Sequence, residues 1–146
     1  MVGDFVWTEN PISHEMQQQR SIGLGSYSFD VHWVTLFLDT NASLPQPTIA
    51  MEGRVNDNAG QDAFAIPYDA LLPKRSQLTN LIVPVASSMS HVRQNAVRME
   101  PTWMIMGHAS GVAASMALRL NDGIVHDVSL LLLQHNLLTQ KQMLWP

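Results

Sequence analysis

Six histidines, twelve carboxylates and no cysteine are what this 146-residue chain offers for moving protons, holding metals or attacking bonds. The histidines stand at His14, His32, His91, His108, His126 and His135, and no two share a His-x-His or His-Glu-x-x-His spacing. Local geometry therefore gives no metal site. The lack of cysteine removes disulfides, thiolate metal centres, iron–sulfur clusters and thiol nucleophiles together, and is compatible with any compartment. A hydrolase built on Ser88 or Ser110 with a histidine and an aspartate is a further reading. It is opposed by Gly107-His-Ala-Ser-Gly111, where the serine sits one position away from a Gly-x-Ser-x-Gly elbow and inside a helical pattern, so its hydroxyl is not presented on a strained turn. Gly23-Leu-Gly25 is the sole Gly-x-Gly. Ser28 occupies the place of the third glycine and an extended stretch follows, so it is not the fingerprint that cradles a dinucleotide pyrophosphate.

The elements that must position such residues are legible in part. Residues 2–7 read as a short strand that begins without lead-in, as if cut just upstream. A polar, Gln-rich stretch to Arg20 has room for a helical turn or two before the glycines of Ser21-Ile-Gly23-Leu-Gly25 break it. Residues 27–39 are aromatic and β-branched and predict a largely buried strand, 48–55 a weaker one, with a Pro45/Pro47 connection between them and turn chemistry at Asn56–Gly60. Asn80–Val85 is a continuous apolar run that predicts a buried strand entering the small-residue loop Ala86–Ser88. Glu100-Pro101 opens a helix that Asn121-Asp-Gly123 stops, and a last helix is expected from about Asp127 to Gln134. On the long helix, Gly107, Gly111, Ala114 and Ala117, with Ser110 beside them, recur at three- and four-residue steps and leave one face almost without side chains. Either a cofactor lies against that face, in a pocket formed by strand, loop and helix, or another helix packs on it.

Charged residues make up 14% of the chain, against about 25% in an ordinary soluble domain. That thin supply suggests faces covered by another chain, unless Gln, Asn, Ser and Thr keep the exterior wet. A net charge of −4 with no basic cluster longer than Lys74-Arg75 argues against nucleic acid. The N-terminus has no signal-peptide pattern and no apolar run nears the ~20 residues that span a bilayer, so a soluble protein of unassigned compartment is expected.

Ile66-Pro-Tyr68, Leu71-Leu-Pro-Lys-Arg75, Thr79-Asn-Leu-Ile-Val-Pro84, Ser88-Met-Ser-His-Val92, Arg98-Met-Glu-Pro101 and Gly107-His-Ala-Ser-Gly-Val-Ala-Ala114 keep a mutual order and spacing. Together they resemble the C-terminal signature of the FAD-dependent oxidoreductase family, some of whose members carry the name xanthan lyase. Val2-Gly-Asp-Phe-Val-Trp-Thr8, Ser21-Ile-Gly-Leu-Gly25 and Asp30-Val-His32 agree in order, so the resemblance covers nearly the whole chain. It implies a mixed α/β fragment, the C-terminal portion of a two-part FAD-binding fold, with substrate-type sheet strands in 1–65 and a return strand, loop and helices in 66–146. These are expected to form one folded unit.

The resemblance further implies FAD as cofactor, an organic, carbohydrate-type substrate, and an N-terminal dinucleotide-binding half that this chain lacks and a partner would supply. Ser88, Ser90 and the helix start near Gly107, His108, Ala109, Ser110 and Gly111 would lie by the isoalloxazine ring, with N–H groups facing its N1/C2=O side. His91 would lie near flavin or substrate, and Asp30 with His32 on the substrate sheet, handling a proton as hydride moves. Arg98 and Glu100 would form a structural pair or a cap that orients the helix. The chain departs from the family pattern at His108, usually Gln, at Asp69, where Arg is common, and at Arg93-Gln94-Asn95. By itself it is expected to be inactive or weakly active. The alternative is a non-catalytic remnant or a subunit that docks on a separate FAD-binding half.

Overall fold

A computed structural model describes residues 1–10, 14–41, 43, 45–56 and 63–145. Its elements run α1 (His14–Arg20), β1 (Ser21–Gly25), β2 (Asp30–Val31), β3 (Thr35–Asp39), β4 (Thr48–Glu52), β5 (Val55–Asn56), β6 (Phe64–Pro67), α2 (His91–Val97), α3 (Glu100–Leu120) and α4 (Leu130–Thr139), with single 3-10 turns at Tyr68–Leu71 and Val125–Asp127. The result is the expected mixed α/β architecture, built from three two-stranded antiparallel pairs, β1 with β6, β2 with β5 and β3 with β4.

The core forms where α3 crosses β1. Along α3, Thr102, Met106, Ala109, Ala113, Met116 and Ala117 are buried, a three-and-four spacing that puts them on one face. They meet Ile22 of β1, Ile66 of β6, Tyr68 and Leu71 of the first 3-10 turn, Val97 of α2, and Leu133 and Leu137 of α4. The closest approach of strand to helix is at Gly23. A Cβ added there would lie 2.2 Å from Ile105 Cγ2, so only glycine lets β1 lie this close to α3. Tyr68 is sealed into the same core, its hydroxyl donating to Val125 O at 2.9 Å. Burial first, and the neighbouring Asp69 carboxylate second, push the phenol's ionisation well above its ordinary range. The unfolded chain releases this proton near pH 10 while the fold retains it, so the unfolded state binds fewer protons and stability falls as pH rises. Unfolding free energies from urea titrations between pH 10 and 12 should decline with a Tyr68-dependent slope that approaches about 1.4 kcal/mol per pH unit above pH 11, and Tyr68→Phe should remove that slope.

Several expectations are corrected. Asn80–Val85 is not a strand: Pro84 has no N–H to give, and Val83 N instead donates to Leu71 O at 2.8 Å while Leu81 and Val85 face solvent. Residues 2–7 do not pair as a strand either. They follow the 88–90 loop through one parallel bridge, Trp7 with Met89, in which Trp7 N donates to Ser88 O at 2.9 Å and Ser90 N to Trp7 O at 2.8 Å. The 27–39 run divides into β2 and β3, and β3 is exposed rather than buried. Its register with β4 pairs Leu36 with Met51 and Leu38 with Ile49, so one face of this ribbon carries four apolar side chains in a row. All four are at least half exposed.

The long helix opens and closes where expected, with Asn121 at its C-cap and Asp122 and Gly123 both at positive φ. The last helix starts at Leu130, because Val125–Asp127 turns as 3-10. Asn56–Gly60 falls largely outside the described residues. Among the described residues, no helix is long and apolar enough to cross a membrane.

Candidate functional site

The glycine face of α3 is not where the chain packs on itself. A Cβ added at Gly107 or at Gly111 would meet nothing within 4 Å. Ala117 has turned into the core, so the series of small residues seen in the sequence divides between a packed face and an open one. The open face borders a cavity of about 670 Å³ between α3 and α4, lined by Gly107, His108, Gly111, Ser115 and Arg119 of α3, by Asn136 of α4 and by Gln140 at its C-cap, with Val112, Met116 and Leu120 as its apolar part. A flat group can lie directly on helix backbone here, with hydrogen-bonding side chains around its edge. This is the usual make-up of a small-molecule site.

His108 stands at the rim of the groove. Its Nδ1 contacts Gln142 Oε1, and its Nε2 lies 2.6 Å from Gln140 Oε1. Ala109 points the other way and is fully buried in the core, so it is placed for packing and not for contact with a ligand. The Ser110 hydroxyl donates to Met106 O at 2.7 Å within its own helix, so it sits mid-helix and not on a strained turn. α3 begins at Glu100. Residues 107–111 therefore occupy its third turn and the start of its fourth, and the N–H groups left free by the helix belong to its first turn.

The 88–91 loop forms a separate structure. Ser88 Oγ accepts from Gly3 N at 2.8 Å and donates to Phe5 O at 2.6 Å, while Ser90 Oγ donates to Glu9 and accepts Arg93 N as the N-cap of α2. Both hydroxyls fasten the 1–10 segment to the loop. Glu9 is held below its ordinary range first by its own backbone N–H and then by Ser90. His91, the first residue of α2, is exposed.

Arg93 lies behind this loop, where its guanidinium is stacked against Trp7, Phe29 and Phe64 at 4.7, 4.9 and 5.0 Å from their centroids. It donates to Thr8 O at 3.0 Å. Burial pushes it down to about 10, so it stays charged at neutral pH.

Asp30 and His32 make a third group. Asp30 accepts from Arg98 at 3.0 Å, and His32 Nε2 lies 3.6 Å from its other oxygen. Arg98 therefore pairs with Asp30 across to β2, and not with Glu100 as expected. His32 is 86% exposed. None of Asp30, His32, Ser88, Ser90 or His91 lines the groove that contains Gly107, His108 and Gly111. Among the described residues no cluster of three or more acidic or imidazole side chains could hold a metal. Reading the sequence missed Arg119 and Asn136, which line the groove with His108, and Gln140 and Gln142, which carry no motif and reach His108 only once the segment after α4 folds back along α3.

With this geometry in view, the model of the FAD dependent oxidoreductase family matches residues 1–137. The chain belongs to that family. Neither a curated protein nor a solved structure matches it.

Proposed function

We propose that the groove beside Gly107 and Gly111 takes the isoalloxazine ring of FAD, and that the ADP half of the cofactor is held by a separate dinucleotide-binding half. The observation that carries this reading is the uncovered backbone of α3 at Gly107 and Gly111, inside the stretch matched to the family. The lining fits the ring: a bare helix face for its plane, the Arg119 guanidinium with Ser115 and Asn136 as donors for its carbonyl oxygens, and Val112 and Met116 for its apolar edge. It does not fit the pyrophosphate, since the chain has no Gly-x-Gly-x-x-Gly turn opening a helix. Bound flavin supplies the hydride-accepting chemistry. The protein's own residues position the ring and shield one of its faces. His91, His32 and Asp30 stand outside the groove, so in this reading they handle a proton only where the partner half brings an organic, carbohydrate-type substrate to them.

The test is a fluorescence titration of the purified chain with lumiflavin and with FAD. Weak binding of similar strength for both is expected, rising for FAD alone when a dinucleotide-binding half is added. FAD binding more than a hundredfold tighter than lumiflavin would place an ADP site on this chain. Binding of neither, even with the added half, would remove the flavin reading. A second reading, a non-catalytic chain that docks on such a half, is favoured by the apolar ribbon face of Leu36, Leu38, Ile49 and Met51. It is distinguished by complex formation without flavin-dependent turnover.

A further inference from the structure

From the hydrogen bonds around His108 we infer that Gln142 is a positioning residue: it fixes the imidazole in the Nδ1–H tautomer, so that the rim of the groove presents the Nε2 lone pair as an acceptor. The argument starts from the Gln142 amide. Its Nε2 donates to Ile22 O and, at 3.4 Å, to Ile105 O. Backbone carbonyls only accept, so the amide nitrogen must face them and Oε1 must face His108 Nδ1. An amide oxygen also only accepts, which leaves Nδ1 as the atom bearing the hydrogen. In the neutral ring Nε2 is then an acceptor. Its neighbour Gln140, whose side-chain amide has no second partner among the described residues, can turn its NH2 toward that lone pair or rotate away when a ligand supplies the donor.

The two ends of this chain of bonds differ in kind. Gln142 is tied to β1 through Ile22 and to α3 through Ile105, two elements that meet in the core, whereas Gln140 is exposed at the groove. The tautomer is therefore set from the rigid side and read out on the open side, as in sites where one ring nitrogen is fixed so that the other can act. The group recognised there is an N–H or O–H donor, and in the flavin reading on which this inference rests that donor is the imide N–H of the ring.

The experiment is a long-range nitrogen–proton correlation spectrum of histidine-labelled protein at about pH 8.5, above the ordinary imidazole range, with the His108 signals assigned by their loss in His108→Gln. The expected result is the Nδ1–H pattern in wild type. It should be kept in Gln142→Glu, which retains an acceptor oxygen, and shift toward the Nε2–H form common in free histidine in Gln142→Leu. An Nε2–H pattern in wild type overturns the inference, whether or not either variant folds. So does a Gln142→Leu protein that folds and keeps the wild-type pattern. Lumiflavin added to the same sample separates the two readings: an Nδ1–H ring with no response to the ligand removes the flavin assignment of the groove and leaves the role of Gln142 standing.

Discussion

Arg93→Met is expected to lower stability by about 2–4 kcal/mol, a large share of the ~5–15 kcal/mol typical of a folded domain. The methionine chain refills much of the space taken by the arginine stem, so the loss is not chiefly a cavity. What disappears is the cation among Trp7, Phe29 and Phe64 and the charge-assisted donation to Thr8 O. Each desolvated stacking contact contributes about 0.5–2 kcal/mol and the bond to the carbonyl about 1.5–3, offset in part by no longer keeping a charge out of water. Arg93→Lys should recover less than half of the loss, because an ammonium cannot lie flat against three rings and donate along a fixed plane as well. Urea unfolding followed by tryptophan fluorescence measures all three proteins, and Trp7 reports directly on the site. A methionine variant with an unchanged midpoint would mean that the rings close over the gap and that the cation adds nothing net.

Gly111→Leu should separate folding from binding. Nothing lies within 4 Å of a Cβ at this position, so the added side chain enters solvent or the groove and not the core. Removing a mid-helix glycine should stabilise the protein by about 0.5–1 kcal/mol. The isobutyl group, however, fills the floor on which a flat ring would rest, and flavin affinity should fall more than a hundredfold. Gly111→Ala should show the same gain in stability with a smaller loss of binding. If Gly111→Leu binds flavin as wild type does, the ring does not lie on this face of α3, whatever else the chain does. If it fails to fold, the open face is in fact packed, and the groove itself is refuted.

What could be read from the sequence was the part decided locally. The limits of α3 are set by Glu100-Pro101 and by Asn121-Asp-Gly123, and neighbouring residues suffice to identify them. The apolar run at Asn80–Val85 satisfied the pattern of a buried strand, but a strand also needs a partner. Here the nearest backbone groups belong to the 3-10 turn at Tyr68–Leu71, which offers single carbonyls instead of a ladder. The bare face of the long helix was legible as a feature but not in its division, since the sequence does not show that Gly23 would supply the close approach and leave Gly107 and Gly111 uncovered. His108 could be singled out as a residue. The amide that orients it stands 34 positions later, and no local pattern links the two. Arg93 is the clearest case, because a charged residue among polar neighbours reads as surface until Trp7, Phe29 and Phe64 arrive from three other parts of the chain.

The β3–β4 ribbon also bears on how the chain behaves in quantity. Among the described residues the two strands leave two unpaired edges, and those edges flank a row of exposed apolar side chains with no proline in β3 or β4 and with charge only at the strand ends, Asp39 and Glu52. That is a template on which one ribbon can add to the next. The growth is open-ended, because each added ribbon presents a fresh edge, and it steepens with concentration rather than saturating as a closed dimer does. Unless something covers the ribbon, the solubility limit of this protein is set there, on the face turned outward, and not by the strength of its core.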